Sequence, residues 1–299
     1  MTLEQLRIFV AVSERQHMTL AAKDLRLTQS GVSAAIAALE ARCGIPLFDR
    51  IGRQIRLTDA GQVLLKEARH ILARTEAAAL ALEEIGGARR GTLRIHASRT
   101  VASYWLPARM VAYRKAHPQV SIELKIDNTA NVARAVAEGA ASVGFVEGSV
   151  EDPILHSKAV ATDELVIVCA KRRRPRHRTI TPDDLVRLPW VLREQGSGTR
   201  SAFESALAGF GLSISALNIT LEIPSNEAIR TLVEAGVGAT ALSSLVVKDS
   251  LAAGRLVRLP VRLPKRAFTL LYHRQAYVSR VAQAFIRMVD EGSHRGTAD

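Results

Sequence analysis

Two stretches of this chain place hydroxyls, glycines and an arginine where an apolar strand hands over to a helix. Ser98, Arg99 and Thr100 follow TLRIHAS, and Gly196, Ser197, Gly198, Thr199 and Arg200 follow WVLREQ. The first amides of a helix lack carbonyl partners and carry the positive end of its dipole, so such places are ready anion sites. Asn128 with Thr129, and Ser225 with Asn226, repeat the arrangement one strand later. Each stretch alone also reads as an ordinary N-cap. Their occurrence at equivalent places is what predicts a ligand, and hydroxyls and amides without an acidic neighbour predict a small anion such as a carboxylate, sulfate or related oxyanion. Glu147, in the strand end VEG, is different: it is expected to meet a cationic group or Arg200, or to form a salt bridge at a hinge.

The strands and helices around these residues form a near-repeat. TLRIHAS, a helix ending at His117-Pro118, SIELKID, a helix ending at Gly139 and SVGFVEG read β-α-β-α-β. WVLREQ, SGTRSAFESALAGFG, ALNITLEI, SNEAIRTLVEAGVG and GATALSS read the same way. Such alternation predicts two α/β lobes with mainly parallel sheets. Segments near Asp163 to Ala170 and Val261 to Thr269 should cross between the lobes, and a last helix, Ser279 to Asp290, should return to the first lobe. The cleft between lobes is where a small molecule is expected.

A different chemistry lies upstream, in TLAAKDLRLTQSGVSAAIAALEARCGIPLFDRIGRQIRLTDAG from Thr19 to Gly61. A short Ala-rich helix capped by Thr19 with Leu20, Ala21 and Leu25 facing inward, a turn at Leu27 and Thr28, and a second helix with Val32, Ile36 and Leu39 on its buried stripe read as a helix-turn-helix. Gln29, Ser30 and Ser33 then show to base edges. An upstream helix opens on Thr2 with Gln5 at capping-box spacing and adds Leu3, Leu6, Phe9 and Val10 to the core. Gly44 and Pro46 stop the second helix, and Leu47 to Leu57 alternates about turn residues Ile51, Gly52 and Arg53, which suits a hairpin wing carrying Arg50, Arg53 and Arg56. Between Thr28 and Ala41 the helix has no Lys or Arg, so direct base readout rests on Gln29 and hydroxyls. The expected partner is double-stranded DNA.

Gln29, Val32, Ser33, Ile36, Leu39, Glu40, Gly44, Pro46, Leu47, Phe48, Arg50, Arg53, Leu57, Thr58 and Gly61, in this order, resemble the N-terminal domain of LysR-type transcriptional regulators. The resemblance covers the whole chain. It implies an all-α winged helix-turn-helix at 1–58, a linker and dimerisation helix at 59–88, and a two-lobed, periplasmic-binding-protein-like effector domain. Lobe I would comprise 92–161 with 267–292, and lobe II 162–266. The expected DNA contacts are Thr28, Gln29, Ser30, Ser33, Arg50 and Arg53, and the effector contacts expected from the strand-to-helix junctions are Ser98, Thr100, Asn128, Thr129, Glu147, Ser197, Thr199 and Ser225. The resemblance also implies a homodimer or homotetramer, leaves room for RNA polymerase as a partner, and calls for no cofactor.

The helix after the wing, roughly Asp59 to Glu84, carries Leu64, Ala68, Ile71, Thr75, Ala78, Leu82 and Ile85 at alternating steps of four and three. That is a heptad seam. At 1.5 Å per residue, about 26 residues span about 39 Å, enough to hold two heads apart for successive major grooves.

Composition sets the outer bounds. A chain of 299 residues suffices for two or three domains, and a formal charge of +12 suits a polyanionic partner. Yet residues 1–58 hold eight basic side chains against five acidic ones, while Lys171 to Arg178 reads KRRRPRHR. That run is a solvated loop, or else a second contact to DNA backbone or an anionic interface. Two unpaired cysteines, Cys43 and Cys169, suit reduced and buried thiols in a cytoplasmic protein, and neither a signal peptide nor a membrane-spanning run is evident. Enzyme motifs are poor: QGSGT is not a nucleophile elbow, the eight histidines show no ligand spacing, and no phosphate loop occurs. With 4% aromatic residues, stacking platforms for single strands are disfavoured. Two readings stand: a ligand-responsive transcription factor, or a small-molecule receptor or enzyme whose N-terminal helices serve as an interaction module.

Overall fold

The computed structural model describes residues 1–51, 54–85, 91–174 and 179–295. The helical N-terminal portion forms one compact unit and the α/β portion another.

In the first unit, helices α1 (Leu3–Arg15), α2 (Met18–Leu25) and α3 (Gln29–Cys43) precede a hairpin of β1 (Phe48–Ile51) and β2 (Gln54–Leu57), and α4 (Asp59–Ile85) follows. α1 opens on the capping box: Thr2 Oγ1 accepts from the Gln5 amide, and Gln5 Oε1 from the Thr2 amide. α2 departs from expectation at its start. Its N-cap is His17, whose Nδ1 accepts from the Thr19 amide at 3.2 Å, because Gln16 already ends α1 in the left-handed region (φ 48°). Leu20, expected inward, is 49% exposed, since the buried stripe runs through Met18, Ala21, Ala22 and Leu25 and position 20 lies off it. Val32, Ile36 and Leu39 of α3 pack with Leu6, Phe9, Val12, Leu47 and Ala68.

Cys43 is exposed, not buried: it occupies the last turn of α3, where the chain turns away through the left-handed Gly44 (φ 70°) and nothing packs over it. Ile51 pairs with Gln54 in the hairpin, so only Gly52 and Arg53 lie between the strands, and both fall outside the described residues. Glu40 Oε1 accepts from the Leu47 and Phe48 amides at 2.8 and 3.2 Å, tying α3 to the wing. A Cβ at Gly61 would stand 2.2 Å from the Leu47 carbonyl oxygen, so only glycine lets α4 start this close to the wing.

The seam of α4 divides. Ala68 is fully buried in its own unit, with Leu64 packed against the same core, whereas Ile71 is 37% and Leu82 70% exposed. The first turns serve the winged unit, and the later apolar positions remain uncovered in the single chain.

The second unit runs β3 (Gly91–Ser98), a π-helical turn (Val101–Trp105), α5 (Leu106–Ala116), β4 (Val120–Asp127), α6 (Thr129–Ala137), β5 (Val143–Glu147) and β6 (Leu155–Ala170). It continues through α7 (Pro182–Arg187), β7 (Pro189–Leu192), α8 (Gly198–Gly209), β8 (Asn218–Glu222), α9 (Asn226–Glu234), β9 (Ala239–Ser243), α10 (Ser244–Ala252), β10 (Leu256–Arg258), β11 (Lys265–His273) and α11 (Arg280–Arg295). The strand order is β4-β3-β5-β11-β6-β9-β7-β8, with β10 on β6. Both β-α-β-α-β runs are therefore present. The sheet is more mixed than expected: β3 pairs in parallel with β4 and β5, and β7 with β8 and β9, but β6 and β11 run antiparallel to their neighbours. A strand that leaves one half and enters the other without a crossover helix has to reverse direction relative to the parallel set.

The long β6 does this bridging. Its residues 155–164 pair with β11, and residues 165–169 with β9. Around β3 and β5 the core holds Ile95, Trp105, Tyr113, Phe145, Phe268 and Phe285; around β7 and β9 a separate core holds Leu165, Trp190, Phe203, Leu207 and Ala241. Cys169 is buried in β6, and burial raises its thiol pKa to about 11. Of the basic run, Arg172 and Arg173 donate to the carbonyls of Ala235 and Gly236 just past α9, a C-terminal helix cap. Residues 175–178 lie outside the described set. Among the described residues no helix is long and apolar enough to cross a membrane, and no group of three or more His, Cys, Asp or Glu side chains could hold a metal ion.

Candidate functional site

In the winged unit Thr28 is the N-cap of α3. Its Oγ1 accepts from the Gly31 amide at 3.1 Å and from Ser30 Oγ at 3.2 Å, so these two hydroxyls are engaged in shaping the helix start. Gln29 and Ser30 are exposed, and Ser33 is half-buried on the flank of the stripe. The outward face beyond them carries Ala34, Ala37, Ala38 and Ala41, all exposed. Arg50 lies in β1 opposite Ile55, Arg56 is exposed on β2, and Arg53 falls outside the described residues.

In the α/β unit the strand ends converge. Glu147 closes β5, is 3% exposed, and accepts from the Thr100 amide and from Thr129 Oγ1, each at 3.2 Å. Full burial opposes its charge, yet Arg266, the Ser98 and Thr100 groups and Arg193 outweigh that penalty and hold its carboxyl below the usual carboxylate range. The start of α8 lies directly against it. A Cβ at Gly198 would stand 2.4 Å from the Glu147 carbonyl oxygen and 2.6 Å from Thr129 Oγ1. Two residues earlier in that loop, the Ala130 amide donates to the Gly196 carbonyl at 3.1 Å, and Gly196 sits at φ 82°, where glycine carries no steric cost.

Around this point the two halves are stitched together. Asn226 Nδ2 donates to Thr100 Oγ1 at 3.1 Å, and Asn226 Oδ1 accepts from Arg193 Nη1 at 2.6 Å. Arg193 also holds Glu194 through Nε and Nη2 at 2.8 and 3.0 Å. Arg266 pairs with Asp163 at 2.7 Å, its register neighbour on β6, and donates through Nη1 to Thr199 Oγ1 at 3.0 Å. Ser243 Oγ donates to the other Asp163 oxygen at 2.6 Å. Every one of these groups but Glu194 is buried.

Of the expected cleft residues, Ser98, Thr100, Thr129, Glu147, Ser197 and Thr199 come together here. Asn128 is close by: its Oδ1 caps the Asn131 amide, and its amide group adjoins Gly196. Ser225 is instead the cap of α9, accepting from the Ala228 amide at 3.2 Å, and its neighbour Asn226 turns into the cleft. Glu147 does not meet Arg200. Arg200 is buried against the Arg193 carbonyl, Glu204 and Glu222, because its first-turn position on α8 points along the sheet edge. The sequence pointed to Asn226 as the partner of Ser225 at a helix start, but not to Arg193, Asp163 or Arg266. An arginine closing the apolar strand PWVLR carried a signal for Arg193; nothing local marks the other charged pair.

Comparison with known proteins agrees with this architecture. Residues 3–62 match the family described as bacterial regulatory helix-turn-helix protein, lysR family, and residues 86–293 match LysR substrate binding domain. The chain is 34% identical over 291 residues to the uncharacterized HTH-type transcriptional regulator YeiE of Escherichia coli (strain K12), covering 97% of each protein. It is 31% identical over 290 residues to a probable RuBisCO transcriptional regulator of Cyanophora paradoxa, covering 95% of this chain and 90% of that one. CbnR, a LysR family transcriptional regulator, has a similar fold, with a TM-score of 0.69 at 20% identity over 98% of this chain and 99% of its own. CbnR complexed with its target DNA gives 0.66 at 22% identity over 98% of this chain and all of that one. Relatives named in this way are regulators, not enzymes, and the chain belongs to the LysR family of DNA-binding transcriptional regulators.

Proposed function

We propose that this regulator responds to a small anion bound between the two halves of its α/β unit, and that it acts in the cytoplasm as a homodimer or homotetramer on duplex DNA. The halves correspond to lobes at 92–161 with 267–292 and at 162–266. One observation carries the anion reading: two helix starts meet at Glu147, whose buried carboxylate accepts from the Thr100 amide while Gly198, at the start of α8, stands against its backbone. A place that stabilises a buried Glu147 carboxylate through amides and hydroxyls has the chemistry to hold a carboxylate or oxyanion from outside. The effector contacts are then Ser98, Thr100, Asn128, Thr129, Ser197 and Thr199. Gln29, Ser30 and Ser33 read bases while Arg50 and Arg53 hold the backbone. The uncovered part of the α4 seam, Ile71 and Leu82, supplies the contact between copies.

Binding shifts the heads only through differential affinity for two lobe arrangements. Calorimetry with a panel of carboxylates, sulfate and phosphate tests the reading on wild type, Thr100→Val and Ser197→Ala. Anion binding weakened by both substitutions is the expected result. Binding confined to cations or neutral apolar compounds, or anion affinity untouched by both changes, disproves it.

A further inference from the structure

We propose that the basic turn after β6, with Lys171 and Arg174 as its contacting side chains, is a second, sequence-independent contact with the phosphate backbone of duplex DNA. It is separate from the cleft around Glu147 and does not depend on the nature of the effector.

Charge is spread unevenly along the chain. Residues 162–266 hold sixteen Lys and Arg against ten Asp and Glu, twice the excess carried by residues 1–58. All four residues from Lys171 to Arg174 are exposed. The turn is nevertheless held in place. A 3-10 turn spans Lys171–Arg173, and the Arg174 amide donates to the Lys171 carbonyl at 3.4 Å. Arg172 and Arg173 are engaged with the carbonyls of Ala235 and Gly236, which anchors the backbone that carries Lys171 and Arg174. A fifth cation lies alongside: β10 pairs Leu256 with Ala170, so the exposed Arg255 comes next to Lys171.

Local ion pairing leaves this turn uncompensated. Among the described residues the ion pairs of the 162–266 half engage Arg193, Arg200, Arg230, Arg255, Arg258 and Arg266, and none involves Lys171 to Arg174. Like charges gathered on an exposed turn repel one another, and a partner with dense negative charge relieves that repulsion. Duplex DNA, the partner of this family, presents one charge per ~1.7 Å of helix axis and releases counterions when a cation meets a phosphate. Even a fully acidic extended polypeptide carries only one charge per ~3.4 Å. Contacts of Lys and Arg with phosphate carry no sequence information, so this surface adds affinity and leaves base selection to the winged unit.

Titration of a long random-sequence duplex over a range of salt compares the full-length wild type with Lys171→Gln/Arg174→Gln. The control, Arg114→Gln/Lys115→Gln, removes the same charge from the exposed last turn of α5 in the other half. The first variant should weaken all duplexes alike, and its slope of log affinity against log salt should fall by about two for each chain in contact. The control should keep the wild-type slope. Acetylation of lysines on the wild type supplies a readout independent of affinity: added duplex should protect Lys171 and leave Lys115 reactive. An equal loss of slope in both variants, or Lys171 labelled as fast with duplex as without, overturns the proposal. Protection of Lys171 by poly-glutamate but not by duplex also overturns it, and assigns the turn to an acidic protein surface.

Discussion

At the scale of single residues, the reading helix shows a division between shaping and recognition. Thr28 and Ser30 hydroxyls are tied to the start of α3, so Gln29 is the side chain with its full donor and acceptor set exposed. A Gln paired bidentately with adenine is worth roughly 1–3 kcal/mol of discrimination. Gln29→Ala is therefore expected to lose about tenfold selectivity in competition between a selected duplex and its single-base variants, while non-specific affinity stays put. Arg53→Ala should do the reverse: all duplexes weaken alike, and the slope of log affinity against log salt falls by about one. Unaltered selectivity in the Gln29 variant would remove that residue from the reading set. Glu147 permits a pH prediction with a definite sign. Its folded pKa lies below the usual value of 4.5, so its contribution is complete above that value and is lost as pH falls through the lower folded one. The melting temperature of wild type should accordingly fall more steeply than that of Glu147→Gln on acidification below pH 4.5, and parallel curves would refute the favoured ionised state.

At the scale of elements, α4 serves two masters along its length. Near its start it packs on the winged unit, and the contact at Gly61 leaves no room for a side chain. Gly61→Ala should cost at least ~2 kcal/mol in urea unfolding of the N-terminal unit, since the atom it meets is backbone and cannot rotate away. Further along, apolar positions on the same heptad face water in a single chain. Leu82→Asp puts a charge into a seam that another helix would cover, and removes the reason for that helix to dock. Sedimentation should show the oligomer dissociating, with weaker operator binding; a variant of unchanged mass would place the contact between copies elsewhere.

At the scale of the whole molecule, the α/β unit couples its halves through buried polar groups. The pairs Thr100–Asn226 and Ala130–Gly196 join one half to the other, Thr199–Arg266 ties α8 to β11, and the Arg266–Asp163 pair sits where β6 passes from one partner strand to the next. Truncating one partner of a buried ion pair leaves the other charge uncompensated, typically at 3–5 kcal/mol. Asp163→Ala should thus lower the melting temperature of the α/β unit by several degrees, more than Lys158→Ala, whose ammonium pairs at a half-exposed site with Asp290.

Local pattern carried most of the fold. The period of Val32, Ile36 and Leu39, the Thr2–Gln5 capping box and the two β-α-β-α-β runs are short-range signals, because helical and strand periodicities, caps and turns are set by residues a few positions apart. The same is true of the helix starts at Ser98 and Ser197, which need only the strand-to-helix transition to be read. Other features depended on which surfaces meet. His17 took the cap from Thr19 because α1 ended late; Cys43 stayed exposed because nothing covers the last turn of α3; and half of a seam that looked uniform was covered by its own unit. Between the two halves, Glu147 is buried beside Arg193, Asn226, Asp163 and Arg266, which reach this place from elements far apart in the sequence. Ion-pair choice is decided by distance and burial in the folded chain, and one-dimensional spacing contains neither.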